Sequence, residues 1–345
     1  MNKISIQALD SVRDIELWKS LLRKLPSEYQ DVYFTPEYHN LHVANGDGKG
    51  VCFHVTDGKH SLLIMGMMIP ILDGIYDLQT CNGYGGPISS PNAPADFLDI
   101  AWRRFKEFSK QSGIVAAFFK LHPLNNNIKL LPSDATIRFD RKTVAVDING
   151  GIQDVWLKSD SRFRNRVSKA RKQGIQVEWN TDNAWEQFPT LYAEAMERLS
   201  AANYLRFNCL YFKQLKGMVE SSIAGIFECG KLLAGAVFLQ GMCYNHYHLG
   251  ARNNESENFL MNALFQAGLE KACEAGKSIV HFGGGRSSAA DDNLLRFKKR
   301  TGGDLVDFNL ALVVCCQESF KSLSRNHCND KNQSDRWLLS YRQPL

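Results

Sequence analysis

Residues 259–285 read FLMNALFQAGLEKACEAGKSIVHFGGG. The apolar spacing predicts a helix over 259–275 that Gly276 ends, followed by a strand over 278–282. Three glycines, Gly283, Gly284 and Gly285, then lead through Arg286 and two serines into another helix, predicted over 289–300 with Ser288 and Asp291 as a capping box. Glycines at a strand-to-helix turn let the backbone approach a ligand closely, and the N–H groups there favour an anion. A structural turn explains the segment equally. It is not a Walker loop, since no Gly-Lys-Ser/Thr follows, and the third glycine of the dinucleotide fingerprint is missing.

Outward from this stretch the pattern is a mixed α/β unit. Strands over 224–228 and 232–240 flank the turn Cys229-Gly230-Lys231, and a further strand covers 243–249. The first half has the same order: strands over 50–56 and 61–72 around Thr56-Asp57-Gly58-Lys59, a strand over 75–81, a helix over 95–111, and a strand over 114–121. Aligning Gly58 with Gly230 gives an offset of 172, and aligning Gly113 with Gly276 gives 163. Such similar offsets suggest a duplicated domain. A strand over 142–148 closes the first half and Asn149-Gly150-Gly151 forms a joint. The expected organisation is therefore one domain over 1–149, a second over 150–316 and a polar tail over 317–345. Within the tail, 326–335 is expected to be mobile, with Trp337, Leu338 and Tyr341 docking back on the body.

Composition sets the outer limits. The chain has 345 residues, 44% hydrophobic and 22% charged, enough for two domains with their own cores and unlike disordered or fibrous proteins. The longest apolar run, Leu62 to Leu72, contains Gly66 and Pro70 and is too short to span a bilayer. The first eighteen residues carry acids and bases throughout, so no secretory signal is read and a cytoplasmic location is expected. Nine cysteines without regular spacing and without a C-x-x-C pair point to reduced thiols and give no metal site.

Forty-one Lys and Arg against 36 Asp and Glu leave a net charge of +5, and its distribution is uneven. The helix predicted over 159–173, with Lys158, carries seven bases and one acid, and Arg296-Phe297-Lys298-Lys299-Arg300 adds four more bases. The remainder is −5, which argues against a generally basic nucleic-acid coat and against a DNA partner. Arg166 and its neighbours suit phosphates, but they wrap more than one face, so some are simply solvated. In the second cluster, Leu294, Leu295 and Phe297 supply a buried side. The cations there either complement the helix dipole or aim a lysine into a cleft.

Alternation over 244–250 places Tyr244, His246 and His248 on one face and Asn245, Tyr247 and Leu249 on the other. A histidine of this strand, or His281 in the next, is a candidate base, and a satisfied half-buried histidine is the plainer account. Gly83-Tyr84-Gly85-Gly86-Pro87 is a turn that would line a cleft if it is more than that. No Gly-x-Ser-x-Gly elbow, His-Glu-x-x-His motif or nucleophile triad occurs, so covalent catalysis through Ser or Cys is not expected.

Taken together, several of these segments resemble the Fem family of non-ribosomal peptidyl transferases and its acyltransferase relatives, built from two GNAT-like domains. The resemblance is carried by Tyr247-His248-Leu249-Gly250-Ala251, then 262–276 and Phe282-Gly283-Gly284-Gly285, then Asp292, Leu295, Phe297 and Lys298. Tyr84-Gly85-Gly86-Pro87, the stretch 166–174, and 192–196 with Tyr211-Phe212 support it. It implies a fold of two tandem GNAT-like α/β (α+β) domains with mixed sheets flanked by helices. It also implies transfer of an acyl or aminoacyl group from acyl-CoA or an aminoacyl-tRNA to an amine, with no metal. By the same resemblance Lys298, beside Phe297, stabilises the oxyanion, and Arg198, Arg206, Tyr211 and Tyr247 hold the acceptor. Tyr84, Gly283, Gly284, Gly285, Arg286 and Arg166 join the expected binding residues, and His248 is the candidate base.

Two departures qualify the donor. The stretch 251–261 has no glycine where acetyltransferases carry a Gly-rich pyrophosphate loop for coenzyme A, and no long heptad segment of the kind that accompanies tRNA-dependent members is present. The expectation is an acyltransferase, with acyl-CoA as the foremost donor, acting on an amine of a polysaccharide or of a nucleotide- or lipid-linked sugar precursor. The alternatives are an aminoacyl-tRNA-dependent bridge transferase and a non-catalytic domain pair that binds a phosphorylated or nucleic-acid ligand.

Overall fold

The computed structural model describes residues 4–289, 291–327 and 338–342. In chain order it begins with β1 (Ser5–Asp10), α1 (Ile15–Leu22), α2 (Pro36–Asn45), β2 (Lys49–Thr56), β3 (Ser61–Leu72), β4 (Ile75–Gln79), β5 (Ile88–Ser89), α3 (Ala95–Gln111) and β6 (Ile114–Lys120). β7 (Thr136–Asp147), α4 (Gly151–Lys158), α5 (Ser161–Lys172), β8 (Glu178–Trp179), α6 (Asp182–Arg198) and α7 (Cys209–Gly217) follow. β9 (Ser221–Glu228), β10 (Lys231–Gln240), β11 (Tyr244–Arg252), α8 (Leu260–Glu274), β12 (Ile279–Gly284), α9 (Asn293–Lys299), β13 (Asp304–Val314) and α10 (Gln317–His327) complete it.

The chain divides into two compact units. The first comprises Met1–Tyr29, Tyr33–Asp140 and Phe308–Leu345; the second comprises Gln30–Val32 and Arg141–Asp307. This differs from the division drawn at 149/150. Asn149-Gly150-Gly151 is the turn between β7 and α4, and a turn residue does not say which unit its flanking strand pairs with.

Pairing is the same in both units. In the first, β1, β2, β3 and β4 are successively antiparallel, β4 runs parallel to β6, and β6 is antiparallel to β13. In the second, β8, β9, β10 and β11 are successively antiparallel, β11 runs parallel to β12, and β12 is antiparallel to β7. The helices preceding the parallel partners, α3 and α8, correspond as well. Two mixed sheets flanked by helices with one topology are what a duplication leaves. In each unit the final strand comes out of chain order: β13 follows the second unit in sequence but pairs with β6, and β7 precedes most of that unit but pairs with β12.

The cores follow from periodicity. On α3, Phe97, Ala101, Trp102 and Phe105 lie on one stripe and pack on Val51, Phe53, Val55 and Ile64 of the sheet. On α5 the stripe is Phe163, Val167 and Ala170, so the bases between them face outward. At about 1.5–3 kcal/mol for each fully buried large apolar side chain, these stripes and not helix propensity hold the helices in place.

The C-terminal segment closes on the first unit. Leu339 and Tyr341 are buried against Ala116 and Leu312, with Leu338 packed alongside. Tyr341 Oη donates to the Asp77 carboxylate at 2.6 Å and Arg342 Nε to its other oxygen at 2.9 Å. Burial pushes Asp77 above the usual carboxylate range, although both partners pull it down. Leu338 and Tyr341 therefore dock as expected, whereas Trp337 lies outside the described residues. Residues 317–327 form α10, and the rest of the stretch expected to be mobile lies outside the described residues, apart from its first two positions, which end that helix.

Candidate functional site

β11 and β12 are parallel, but their ladder lasts only three residues, from Tyr244↔Ile279 to His246↔His281. Beyond it β11 runs on to Arg252 and β12 to Gly284, while β12 stays paired on its other edge with β7 as far as Gly284↔Thr143. The two strands part at their carboxyl ends, the position where open α/β sheets take ligands. The corresponding pair in the first unit does not part. β4 and β6 stay joined through Thr80 N–H to the Phe118 carbonyl, 3.0 Å, and Gly85 N–H to the Lys120 carbonyl, 2.8 Å.

A bulge refines β11. Its residues Leu249 and Tyr247 pair with the adjacent Val237 and Phe238 of β10, which makes His248 the extra residue of the bulge. The simple alternation expected over 244–250 therefore fails at His248. Tyr247 and Gly250 come to share a side: a Cβ on Gly250 would lie 2.0 Å from the Tyr247 hydroxyl. The Tyr247 ring packs edge-on to Phe265 at 4.8 Å, and burial pushes its phenol up.

Lys298 sits where the strands diverge. It is 7% exposed, donates Nζ–H to the Gly284 carbonyl of β12 at 2.8 Å, and lies 5.5 Å from the centre of the Tyr247 ring of β11. Burial pulls its amine down to about 7, the Asp292 charge works against this, and Arg141 adds to it. Two other cations of its cluster serve structure: Lys299 binds the Gly303 carbonyl and Arg296 the Asn293 side chain, both at 2.8 Å. Phe297 is half-buried against Phe265 at 5.2 Å.

The glycine turn is built around Asp292. Its carboxylate accepts Arg286 N–H, Ser287 N–H and the Ser287 hydroxyl at 3.1 Å each, and Leu294 and Leu295 N–H at 2.9 Å each. Asp292 is therefore the helix cap. The capping box expected of Ser288 and Asp291 is not formed, and α9 starts at Asn293 instead of 289, because one carboxylate satisfies both the turn and the helix start. Gly283 takes a positive φ of 73°, and a Cβ on Gly285 would meet the Asp292 carboxylate at 2.3 Å. Arg141 Nη1 donates to the Gly285 carbonyl at 3.1 Å. Arg286 is exposed, and its backbone N–H is held by Asp292.

His248 is joined to Tyr211 by a 2.7 Å hydrogen bond between Nε2 and Oη. Tyr211 is fully buried and stacks on Phe207 at 4.0 Å, which itself stacks on Tyr192 at 6.1 Å. His246 and His281 are buried rather than half-buried. His246 Nε2 meets Asp31 at 2.8 Å and His281 Nε2 meets the Thr143 hydroxyl at 3.0 Å. Asp31 belongs to the short segment Gln30–Val32 that joins the second unit.

The remaining expected residues have contacts of their own that do not include Lys298. Arg198 binds the Arg252 carbonyl at 3.1 Å and Arg206 the Ala201 carbonyl at 3.3 Å, both exposed at the ends of the 199–208 loop. Arg166 is exposed on α5. Much of the charge of that helix is structural: Arg164 donates to the carbonyls that end α4, Arg171 pairs with Glu270 at 2.9 Å, and Lys169 lies over Phe259. Tyr84 belongs to the first unit, edge-on to Tyr33 and Phe308 at 5.3 Å each. Asp292, Arg141 and Asp31 were not among the expected site residues. An acid three residues ahead of a buried apolar helical position was the available signal for Asp292; nothing local marks the other two.

No protein-family model matches the sequence, and no curated protein matches it. Solved structures do. The crystal structure of FemX superposes with a TM-score of 0.69 at 13% identity, over 92% of this chain and 99% of that one. L-PGS from Bacillus licheniformis gives 0.58 at 14%, over 86% and 90%. A tandem GNAT protein from the clavulanic acid biosynthesis pathway gives 0.52 at 10%, over 91% and 99%. The chain has the Fem-type, tandem GNAT-like fold.

Proposed function

We propose that the chain is a transferase that moves an acyl or aminoacyl group from an activated carrier to an amine, with the second unit as the reacting one. The observation that carries this reading is Lys298, a buried ammonium donor held on the Gly284 carbonyl and beside the Tyr247 ring where β11 and β12 part. The acceptor nitrogen attacks the donor carbonyl carbon, a C–N bond forms, and the carbonyl electron pair moves onto oxygen. Lys298 donates to that oxyanion in a site largely closed to water, an interaction worth about 3–4 kcal/mol. Collapse returns the electron pair and breaks the bond to the carrier, which leaves with that bond's electrons; the proton lost by the amine passes to His248, directly or through the Tyr211 hydroxyl, and from there to the departing carrier. Exposed Arg198, Arg206 and Arg166 suit a phosphorylated acceptor, and an amine on a nucleotide- or lipid-linked sugar precursor of the cell envelope fits that chemistry. No helix among the described residues is long and apolar enough to cross a membrane; a transferase of this kind belongs in the cytoplasm, on the side where such activated carriers are made.

One observation bears on the donor. The turn before α8 is where an acetyltransferase-type chain would offer N–H groups to a diphosphate. Here Arg252 gathers the carbonyls of Asn253, Asn254 and Ser256 at 2.8–3.3 Å, and the turn carries Glu255 and Glu257. This favours an aminoacyl-tRNA over coenzyme A as carrier. Mass spectrometry of amino-sugar acceptors incubated with acyl-CoA or charged tRNA tests both, with ribonuclease treatment separating them. Lys298→Ala should lower kcat about 100-fold or more; undiminished turnover in the folded variant refutes the assignment.

A further inference from the structure

Lys298 is reached by few charged groups, and they come from three elements. On its own helix Arg296 and Lys299 are exposed and engaged elsewhere. From β11 it faces the Tyr247 phenol, from β7 the Arg141 guanidinium, and from the turn after β12 the Asp292 carboxylate. Lys142, next along β7, is tied to Asp307 at 2.5 Å. The two charges that remain both hold the turn that follows β12. Asp292 takes the N–H groups of Arg286 and Ser287, and Arg141 takes the Gly285 carbonyl, one residue past the Gly284 carbonyl that Lys298 itself binds. Gly285 leaves room for this, since any side chain would displace the Asp292 carboxylate.

We propose that Asp292 and Arg141 are positioning residues for Lys298, an opposed pair that fixes the glycine turn on which its ammonium rests and balances the charge it feels. Asp292 joins the turn to the first N–H groups of α9, so the helix that carries Lys298 and the carbonyl that receives it move as one piece. Its negative charge favours the ammonium form, and the positive charge of Arg141 disfavours it. The inference rests on Lys298 being the oxyanion donor for its use, although the tuning itself is a property of the folded chain alone.

The test needs no substrate. Trace acetic anhydride labels a lysine only as the neutral amine, so peptide mass spectrometry of the full chain, labelled from pH 5 to pH 11, reads the midpoint of Lys298. In the unsubstituted protein Lys298 should label with a midpoint near 7, far below the exposed lysines. Asp292→Asn should move it to lower pH and Arg141→Gln to higher pH, each by on the order of one pH unit, and Asp292→Glu should return it toward its starting value. Loss of packing alone would expose the amine and raise the midpoint in both. Shifts of the same sign in the two variants, no shift in either, or labelling of Lys298 like a surface lysine overturns the proposal. Because the two residues sit on different elements, a misfolded variant of one leaves the other to decide. Labelling that behaves as expected in a chain with no transfer activity would refute the proposed function and leave the tuning intact.

Discussion

Replacing Lys298 with methionine should make the protein more stable and nearly inactive. Displacement of the amine from 10.5 to about 7 by burial corresponds to about 5 kcal/mol spent on holding its charge inside the fold at neutral pH. Methionine has a similar length and no charge, so it removes this cost. It also abandons the Gly284 carbonyl, bonded at 2.8 Å, and an acceptor stripped of its partner loses about 1–3 kcal/mol. A net gain of about 2–4 kcal/mol remains, which in a domain of this size raises Tm by roughly 4–16 °C. The pH dependence identifies the cause. The folded-state value lies below the unfolded one, so the cost is fully present below about pH 7, shrinks as pH rises, and is gone above 10.5. Urea denaturation of both proteins at pH 6, 8 and 10 should show a constant advantage for methionine at the acid end that closes toward the alkaline end. A methionine variant that is less stable at pH 6, or an advantage that persists at pH 10, refutes the reasoning. Turnover of the same variant should fall about 100-fold.

Gly250→Ala puts a methyl group 2.0 Å from the Tyr247 hydroxyl; displacing that ring should cost about 1–3 kcal/mol and lower turnover, seen by thermal denaturation and by activity. Tyr211→Phe keeps the stack on Phe207 but removes the 2.7 Å bond to His248, so kcat should fall about tenfold with KM nearly unchanged, and an unchanged pH–rate profile would exclude a relay. Arg342→Met withdraws one partner of the buried Asp77 carboxylate at 2.9 Å and should destabilise by about 3 kcal/mol at pH 7. Since burial raises Asp77 above its ordinary value, protonation at lower pH relieves the stranded charge, and the deficit should narrow as pH falls.

The paired hairpins, α3, α8 and the strands that follow them were legible because their information is local: alternation, helical spacing and a closing glycine. The topology of each sheet was half legible. Offsets between the two halves showed a repeat, but no residue of β7 or β13 records which strand it will pair with. Among site residues, Lys298 was visible through the Phe297-Lys298 pair that the family resemblance singles out, and as one of two readings of its cationic cluster. Its burial was not visible, since that depends on β12 and β11 parting, an event with no signature in either strand. His248 was placed on the right strand in the wrong phase, because a bulge costs one residue and leaves no composition. The cap was misassigned to Ser288 because Ser-x-x-Asp fits a local rule, whereas the five hydrogen bonds converging on Asp292 are set by the fold of the turn. The cationic helix drew attention by its charge, and several of its bases prove to be ordinary fasteners to Glu270, Phe259 and the end of α4.

The late arrival of β13 has a consequence for biogenesis. A chain emerging from the ribosome has made β1 to β6 long before the strand that pairs with β6 exists, and well over a hundred residues separate the two. During that interval the β6 edge is open, while β7, already synthesised, awaits β12. The first unit cannot complete its sheet until β13 has been made, after nearly all of the second unit, and the second cannot complete its own until β12 has been made. Cutting the gene at its apparent midpoint would yield two orphans, each lacking a strand encoded in the other, and expressing the halves together should succeed where expressing either alone fails.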